Sequence, residues 1–223
     1  LITTTRGANA KSVAELTFGL MLDCVRHISR MDEVVKAGEW TRFPGVELSG
    51  KTLGIIGLGN IGSEVAKRAA AFEMTIIAHD IVERPEVSKA YNVTYVTLDE
   101  IIARSDILTL HAPATPLTIS MINAERLQAM KASACLINTA RGDLVVENDL
   151  YNALTQGWIA GAGVDVLLHE PPLDTKLVGL ENLIVTPHAG ANTVDAIRNM
   201  GTMSAEEVVR LSTGKQPKHP LAY

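Results

Sequence analysis

The chain is short of the features that would place it in several large classes of protein. It has only two cysteines, Cys24 and Cys135, far apart inside apolar runs. That spacing offers neither a disulfide framework nor a zinc site, so both are expected to be small core residues in a reducing, cytoplasmic setting. It has no excess of positive charge: 20 Lys and Arg against 25 Asp and Glu leave a net charge of −5. Non-specific nucleic-acid binding depends on neutralising phosphates, so that role is not expected. It has no long apolar run. The longest stretch free of Asp, Glu, Lys and Arg, 107–124, is interrupted by Pro113, Pro116 and several threonines, and no membrane span is expected. The N-terminus lacks the basic-then-apolar layout of a signal peptide. There is no internal repeat and no low-complexity segment. What remains is 223 residues, 47% hydrophobic and 20% charged, enough for a sizeable core and too apolar for disorder.

The apolar pattern is that of a layered α/β protein. Ser12 and Glu15 form an S-x-x-E sequence ahead of Val13, Leu16, Leu20, Cys24 and Ile28, which predicts a capping box and one long first helix. Residues 38–50, with Trp40, Pro44 and Gly45, read as loop. Short apolar runs then predict strands over 52–56, 75–79, 93–96, 107–111, 134–138, 160–164 and 183–185. Amphipathic patterns predict helices over 61–72, 98–104, 124–130, 147–156 and 194–211, followed by a polar tail. Strands that are apolar throughout and separated by helices point to a doubly wound parallel sheet, Rossmann-type, with helices on both faces.

Gly57-Leu58-Gly59-Asn60-Ile61-Gly62 matches G-x-G-x-x-G between the strand at 52–56 and the helix that follows. Gly57 permits the tight turn, Gly59 admits a diphosphate to the backbone, and Gly62 lets helix and strand pack closely. The helix N-terminus presents unpaired N–H groups to the phosphates. The next strand ends at Asp80, 18 residues beyond Gly62, where a carboxylate accepts both ribose hydroxyls and repels a 2′-phosphate. Residue 81 is Ile, so the arginine that often accompanies NADP is absent there, with Arg84 a nearby exception. NAD is the expected cofactor. A glycine turn in another doubly wound domain, with Asp80 a solvated strand end, is the alternative these residues leave open.

Four further segments carry a resemblance: 8–15 (Ala-Asn through Ser-Val-Ala-Glu), 136–142 (Leu-Ile-Asn-Thr-Ala-Arg-Gly), 163–172 (Gly-Val-Asp-Val leading to Glu-Pro-Pro) and 186–190 (Thr-Pro-His-Ala-Gly). With the glycine turn, in that order, the chain resembles the D-isomer-specific 2-hydroxyacid dehydrogenases, the family of D-3-phosphoglycerate and D-lactate dehydrogenases and hydroxypyruvate reductases. The resemblance implies an NAD-dependent oxidoreductase acting on a D-2-hydroxy acid or the corresponding 2-oxo acid. It places the substrate-binding arginine at Arg141, its acidic partner at Glu170 and the acid–base histidine at His188. It puts a carboxylate near the nicotinamide carboxamide at Asp165, and an H-x-P cofactor segment at His111, Ala112 and Pro113. Thr139, Ala140, His188 and Gly190 join Gly57, Gly59, Asn60, Ile61, Gly62 and Asp80 around the expected cofactor. The chemistry agrees: histidine titrates near working pH, a neighbouring carboxylate favours its charged form, and a guanidinium binds a carboxylate in bidentate fashion. His169 is expected to be a bystander, and His27, His79 and His219 have no constellation.

Members of that family have two lobes, and this chain, which starts with Leu1 near the family's crossover, is expected to be the nucleotide lobe of a longer protein. Residues 1–193 are then the dinucleotide-binding domain, and 194–223 the closing helix and tail. The chain alone is expected to bind NAD with little turnover. The final helix should expose Ile197, Met200 and Val208. The resemblance also implies a homodimer through the first helix and the Trp40 loop. A different class stays open, an NAD-sensing corepressor on the same fold. Formate dehydrogenase, which pairs its histidine with glutamine, fits Glu170 poorly.

Overall fold

The computed structural model describes residues 2–173 and 176–221 of the chain. Leu1, the start of the crossover segment, and the end of the tail lie outside the described residues. The elements in order are α1 (Ala10–Arg26), α2 (Ile28–Lys36), β1 (Thr52–Ile56), α3 (Asn60–Ala71), β2 (Thr75–His79), α4 (Pro85–Tyr91), β3 (Val93–Tyr95), α5 (Leu98–Arg104), β4 (Ile107–Leu110), α6 (Ala124–Ala129), β5 (Cys135–Asn138), α7 (Glu147–Thr155), β6 (Gly161–Val164), β7 (Leu183–Val185) and α8 (Val194–Ser212). The strands form one sheet in the order β3-β2-β1-β4-β5-β6-β7, and every pairing is parallel. The doubly wound expectation holds. Predicted strand ends differ by at most a residue, the ordinary fraying of element boundaries.

The central strands β1, β4, β5 and β6 bury both faces, which is why their sequence runs are apolar without alternation, while the edge strands β3 and β7 are partly open. Leu53, Ile55, Ile76, Ile107 and Ile137 pack with Phe18, Met21, Val65 and Ala69 from α1 and α3. On the other face, Ile56, Ile77, Leu108, Leu136 and Val164 pack with Ile101, Leu127 and Leu150 from α5, α6 and α7. Cys135 is buried, Cys24 is partly so, and both are free thiols.

Three local expectations need correction. The first helix is two helices: His27, at φ +56, ends α1 by donating its N–H to Asp23 and turns the chain into α2. Ser12 and Glu15 form no capping box, because α1 begins at Ala10 with Asn9 before it. Ser12 Oγ donates instead to the carbonyl of Gly190 (2.6 Å), and Glu15 pairs with Arg68 (2.7 Å). The capping box that does form is Thr97/Glu100 at the start of α5. The helix α4, begun by Pro85 and ended by Asn92 in the left-handed region, was not anticipated.

The chain ends come together: Thr4 N–H donates to the carbonyl of His219 and Leu221 N–H to that of Ile2. Helix α8 exposes Val194, Ile197, Val208 and Val209, as expected of this face, while Met200 is half-buried.

Candidate active site

The glycine turn leaves β1 at Gly57, whose φ of +93 only glycine takes without strain. Its N–H donates to the carbonyl of His79 (2.9 Å), tying the turn to β2. A Cβ on Gly62 would lie 2.1 Å from the Gly57 carbonyl oxygen, so α3 starts pressed against the turn. At Gly59 the situation is opposite: a Cβ would meet nothing within 4 Å. Nothing in the protein demands glycine there, and open space over the backbone is what an approaching diphosphate needs. The first backbone bond of α3 is Ser63 N–H to the Gly59 carbonyl, so the N–H groups of Asn60, Ile61 and Gly62 precede the helix's own acceptors. The Asn60 side chain turns away toward Gly7.

Asp80 stands at the end of β2. Its Oδ2 accepts the Leu58 N–H of the glycine turn (2.6 Å) and its Oδ1 the Val82 N–H (3.1 Å). Each oxygen keeps a further lone pair for a ribose hydroxyl. Arg84 lines a groove of about 910 Å³ with Arg6, Asn60 and Ser63, over the start of α3.

At the end of β4, His111 N–H donates to the Ile56 carbonyl (2.7 Å), and its Nε2 meets Thr109 Oγ1 (3.0 Å). Its Nδ1 is buried without a partner among the described residues, and burial drives the imidazole pKa down to about 3. The ring is therefore neutral, as expected of packing and not of proton transfer. Ala112 is half-buried and Pro113 exposed at the same rim.

Beyond β5, the Asn138 amide shapes the next turn. Its Oδ1 takes the Ala140 N–H (3.0 Å) and its Nδ2 donates to the Arg141 carbonyl (2.9 Å). Thr139 is buried against Thr17 of α1 (3.0 Å between hydroxyls), while Arg141 is exposed, its guanidinium steadied by the Ala140 carbonyl (2.6 Å).

The remaining two loops meet. His188 Nδ1 lies 2.7 Å from Glu170 Oε2, and Glu170 Oε1 accepts the Leu167 N–H (3.1 Å). Burial pushes the Glu170 carboxyl up, but its hydrogen bonds from His188 and Leu167 and the charges of His188 and Arg141 outweigh that and hold it below the usual carboxylate value. Arg141 is thus within electrostatic reach of the pair. With the side chains of His188 and Glu170 51% and 39% exposed, the pair faces a solvent-accessible rim, and its worth to stability is small. A carboxylate on Nδ1 fixes the tautomer and leaves Nε2 for chemistry. Asp165 is buried and takes Thr186, Ala189 and Gly190 as donors. His169 is exposed and lines a separate groove of about 260 Å³ with Glu147 and Tyr151.

The sequence-predicted residues therefore gather at the carboxyl ends of β1, β2, β4, β5, β6 and β7, where ligands collect in open parallel sheets. A model of the "D-isomer specific 2-hydroxyacid dehydrogenase, NAD binding domain" matches residues 18–190. The chain belongs to that family. It is 46% identical over 211 residues to D-3-phosphoglycerate dehydrogenase of Methanocaldococcus jannaschii, covering 93% of this chain and 40% of that one. It is equally identical, over 211 residues, to hydroxypyruvate reductase of Thermotoga maritima, covering 92% of this chain and 68% of that protein. Among solved structures, D-lactate dehydrogenase from Aquifex aeolicus complexed with NAD and lactic acid superposes with a TM-score of 0.85 at 34% identity, over 92% of this chain and 67% of that one. The lobe described here is the family's NAD-binding domain, and the open backbone at Gly59 with the carboxylate at Asp80 suits that cofactor. Among the described residues no helix is long and apolar enough to cross a membrane. Sequence reasoning missed the residues that hold these loops, Ser12, Thr17, Asn138 and Thr186. Ser12 carried a signal, but that signal was read as a helix cap.

Proposed function

We propose that this chain is the nucleotide lobe of an NAD-dependent oxidoreductase that interconverts D-2-hydroxy acids and 2-oxo acids. The observation that carries the reading is the 2.7 Å contact between His188 Nδ1 and Glu170, with the charge of Arg141 acting on the same carboxylate. NAD, when bound, supplies the hydride acceptor or donor. In oxidation, His188 Nε2 takes the hydroxyl proton as hydride leaves the substrate carbon. The products are a 2-oxo acid, NADH and the proton held on the imidazole. Glu170 stabilises the imidazolium, and Arg141 binds the carboxylate and polarises the oxygen at C2. In reduction, the same imidazolium returns the proton. The D configuration is carried over from the family.

Following NADH absorbance of the full-length protein with a panel of 2-oxo acids, including hydroxypyruvate, glyoxylate and pyruvate, tests this. Consumption with at least one acid, lost in His188→Asn, is expected. A full-length protein that binds NADH and consumes it with none of them refutes the proposal.

We also propose a homodimer built on α2 and the Trp40 segment. No residue of α2 is buried, and the large apolar side chains of Ile28, Val35, Trp40 and Val46 are exposed. Sedimentation equilibrium should give a mass of two chains at micromolar concentration, reduced to one by Trp40→Asp. A monomeric wild type removes this part.

A further inference from the structure

Asp165 has a larger share in the 186–190 loop than a cofactor contact would need. The residue is 2% exposed. Oδ1 accepts the Thr186 hydroxyl (2.5 Å) and the Ala189 N–H (2.8 Å), and Oδ2 accepts the Gly190 N–H (2.8 Å). Its main-chain carbonyl takes the His188 N–H (2.9 Å), which also reaches the Thr186 carbonyl (3.0 Å). One residue thus answers donors from every position of the loop except Pro187, which has no N–H. From the other side Ser12 of α1 donates to the Gly190 carbonyl (2.6 Å). A Cβ on Gly190 would come within 3.0 Å of Asp165 Oδ2 and 3.3 Å of Val13, so the loop end is gripped between α1 and β6. The grip matters because His188 sits at φ +52, a conformation that a residue with a Cβ keeps only where its surroundings hold it.

We propose that Asp165, assisted by Thr186 and Ser12, is a positioning residue: it clamps the 186–190 loop so that His188 Nδ1 meets Glu170 and Nε2 is left facing the crevice. The proposal deepens the acid–base reading of His188 given above and rests on it. Three of the roughly four acceptor sites of a carboxylate are spent on the loop, so the clamp and not the nicotinamide carboxamide is this side chain's main partner. The charged groups facing the His188–Glu170 pair are Arg141 and the pair itself.

The test follows the Glu170 side-chain carboxyl by 13C NMR across pH, with NAD affinity by calorimetry, in wild type, Asp165→Asn and Thr186→Val. Asp165→Asn points an amide N–H at a loop donor and should loosen the pair, while Thr186→Val removes one donor from the clamp and nothing else. The Glu170 midpoint should rise toward the ordinary carboxylate value in both, more in Asp165→Asn, and in Thr186→Val NAD affinity should stay within about threefold. Loss of the Asp165 charge by itself would move that midpoint down, so a rise reports the broken contact. If Asp165→Asn does not fold, Thr186→Val decides alone. An unchanged midpoint in the folded variants overturns the proposal, as does a tenfold loss of NAD affinity in Thr186→Val. Neither readout needs turnover. Failure of the full-length wild type to reduce any 2-oxo acid would therefore sink the enzymatic reading while leaving the clamp to be judged on its own data.

Discussion

Replacing Gly62 with alanine places a methyl carbon 2.1 Å from the Gly57 carbonyl oxygen, 3.1 Å from its carbon and 3.2 Å from Ile55 Cγ2. Two of those neighbours are backbone and cannot swing aside. To restore an ordinary contact, α3 must back away from the turn by about 1 Å, and overpacking of this kind costs about 1–3 kcal/mol. The gain in helix propensity from Gly to Ala returns up to about 1 kcal/mol. A 2.1 Å clash with backbone sits at the upper end of that cost, so the net loss is about 2 kcal/mol, a fall in Tm of about 4–8 °C for a domain of this size. The same retreat spoils the alignment of the Asn60 and Ile61 N–H groups, so NAD binding weakens too. Gly59→Ala separates the two effects. Its methyl enters open space, at φ −70, where alanine is unstrained, so Tm should move by less than about 1 °C. If the diphosphate lies over that backbone, NAD affinity falls at least about tenfold, worth about 1.4 kcal/mol. Calorimetric melting and NAD titration of both variants read this out. A Gly59→Ala protein that binds NAD as the wild type does would refute the placement of the diphosphate. A Gly62→Ala protein with unchanged Tm would refute the packing argument.

Glu170→Gln should lower the pH at which the oxidative rate rises, because the imidazolium loses its carboxylate; an unchanged pH–rate profile removes Glu170 from the mechanism. Glu170 is held below the ordinary value of 4.5, so its contribution to stability is present above that pH and is lost as pH falls through the folded-state value. The melting difference between wild type and Glu170→Gln, well under about 1 kcal/mol for so exposed a pair, should therefore vanish in acid. Asp80→Ala strips the acceptor from Leu58 N–H and both ribose hydroxyls: NAD affinity should fall at least about tenfold and the preference for NAD over NADP should shrink, measured by titration with each nucleotide. His111, with its pKa driven down to about 3, should show imidazole NMR signals that stay constant from about pH 8 to about pH 5. The folded state then resists a proton the unfolded chain takes up below about 6.5, so stability falls with pH in that range, and a His111 signal titrating near 6.5 would contradict its burial.

How much of this was legible beforehand depends on the range of the interaction. The glycine turn and the seven apolar runs were readable because turn geometry and burial leave local patterns, whereas Arg141, Glu170 and His188 were singled out only through the family resemblance. The same local reasoning failed at Ser12. Ser12/Glu15 and Thr97/Glu100 share one motif, yet only the second forms a capping box. Thr97 has an exposed helix start to cap, while Ser12 lies inside α1, 178 positions from the Gly190 carbonyl it bonds. The break at His27 was hidden for a related reason: a single left-handed residue interrupts α1 and α2 without disturbing the apolar spacing.

The chain alone determined its layers and its glycine turn, since each is set by neighbours a few residues away. The pairing of His188 with Glu170 and the grip of Asp165 and Ser12 on the 186–190 loop were decided only by the fold. Those contacts join β6, β7 and α1 across the top of the sheet, and a hydrogen bond between segments so distant in sequence leaves no periodicity to read.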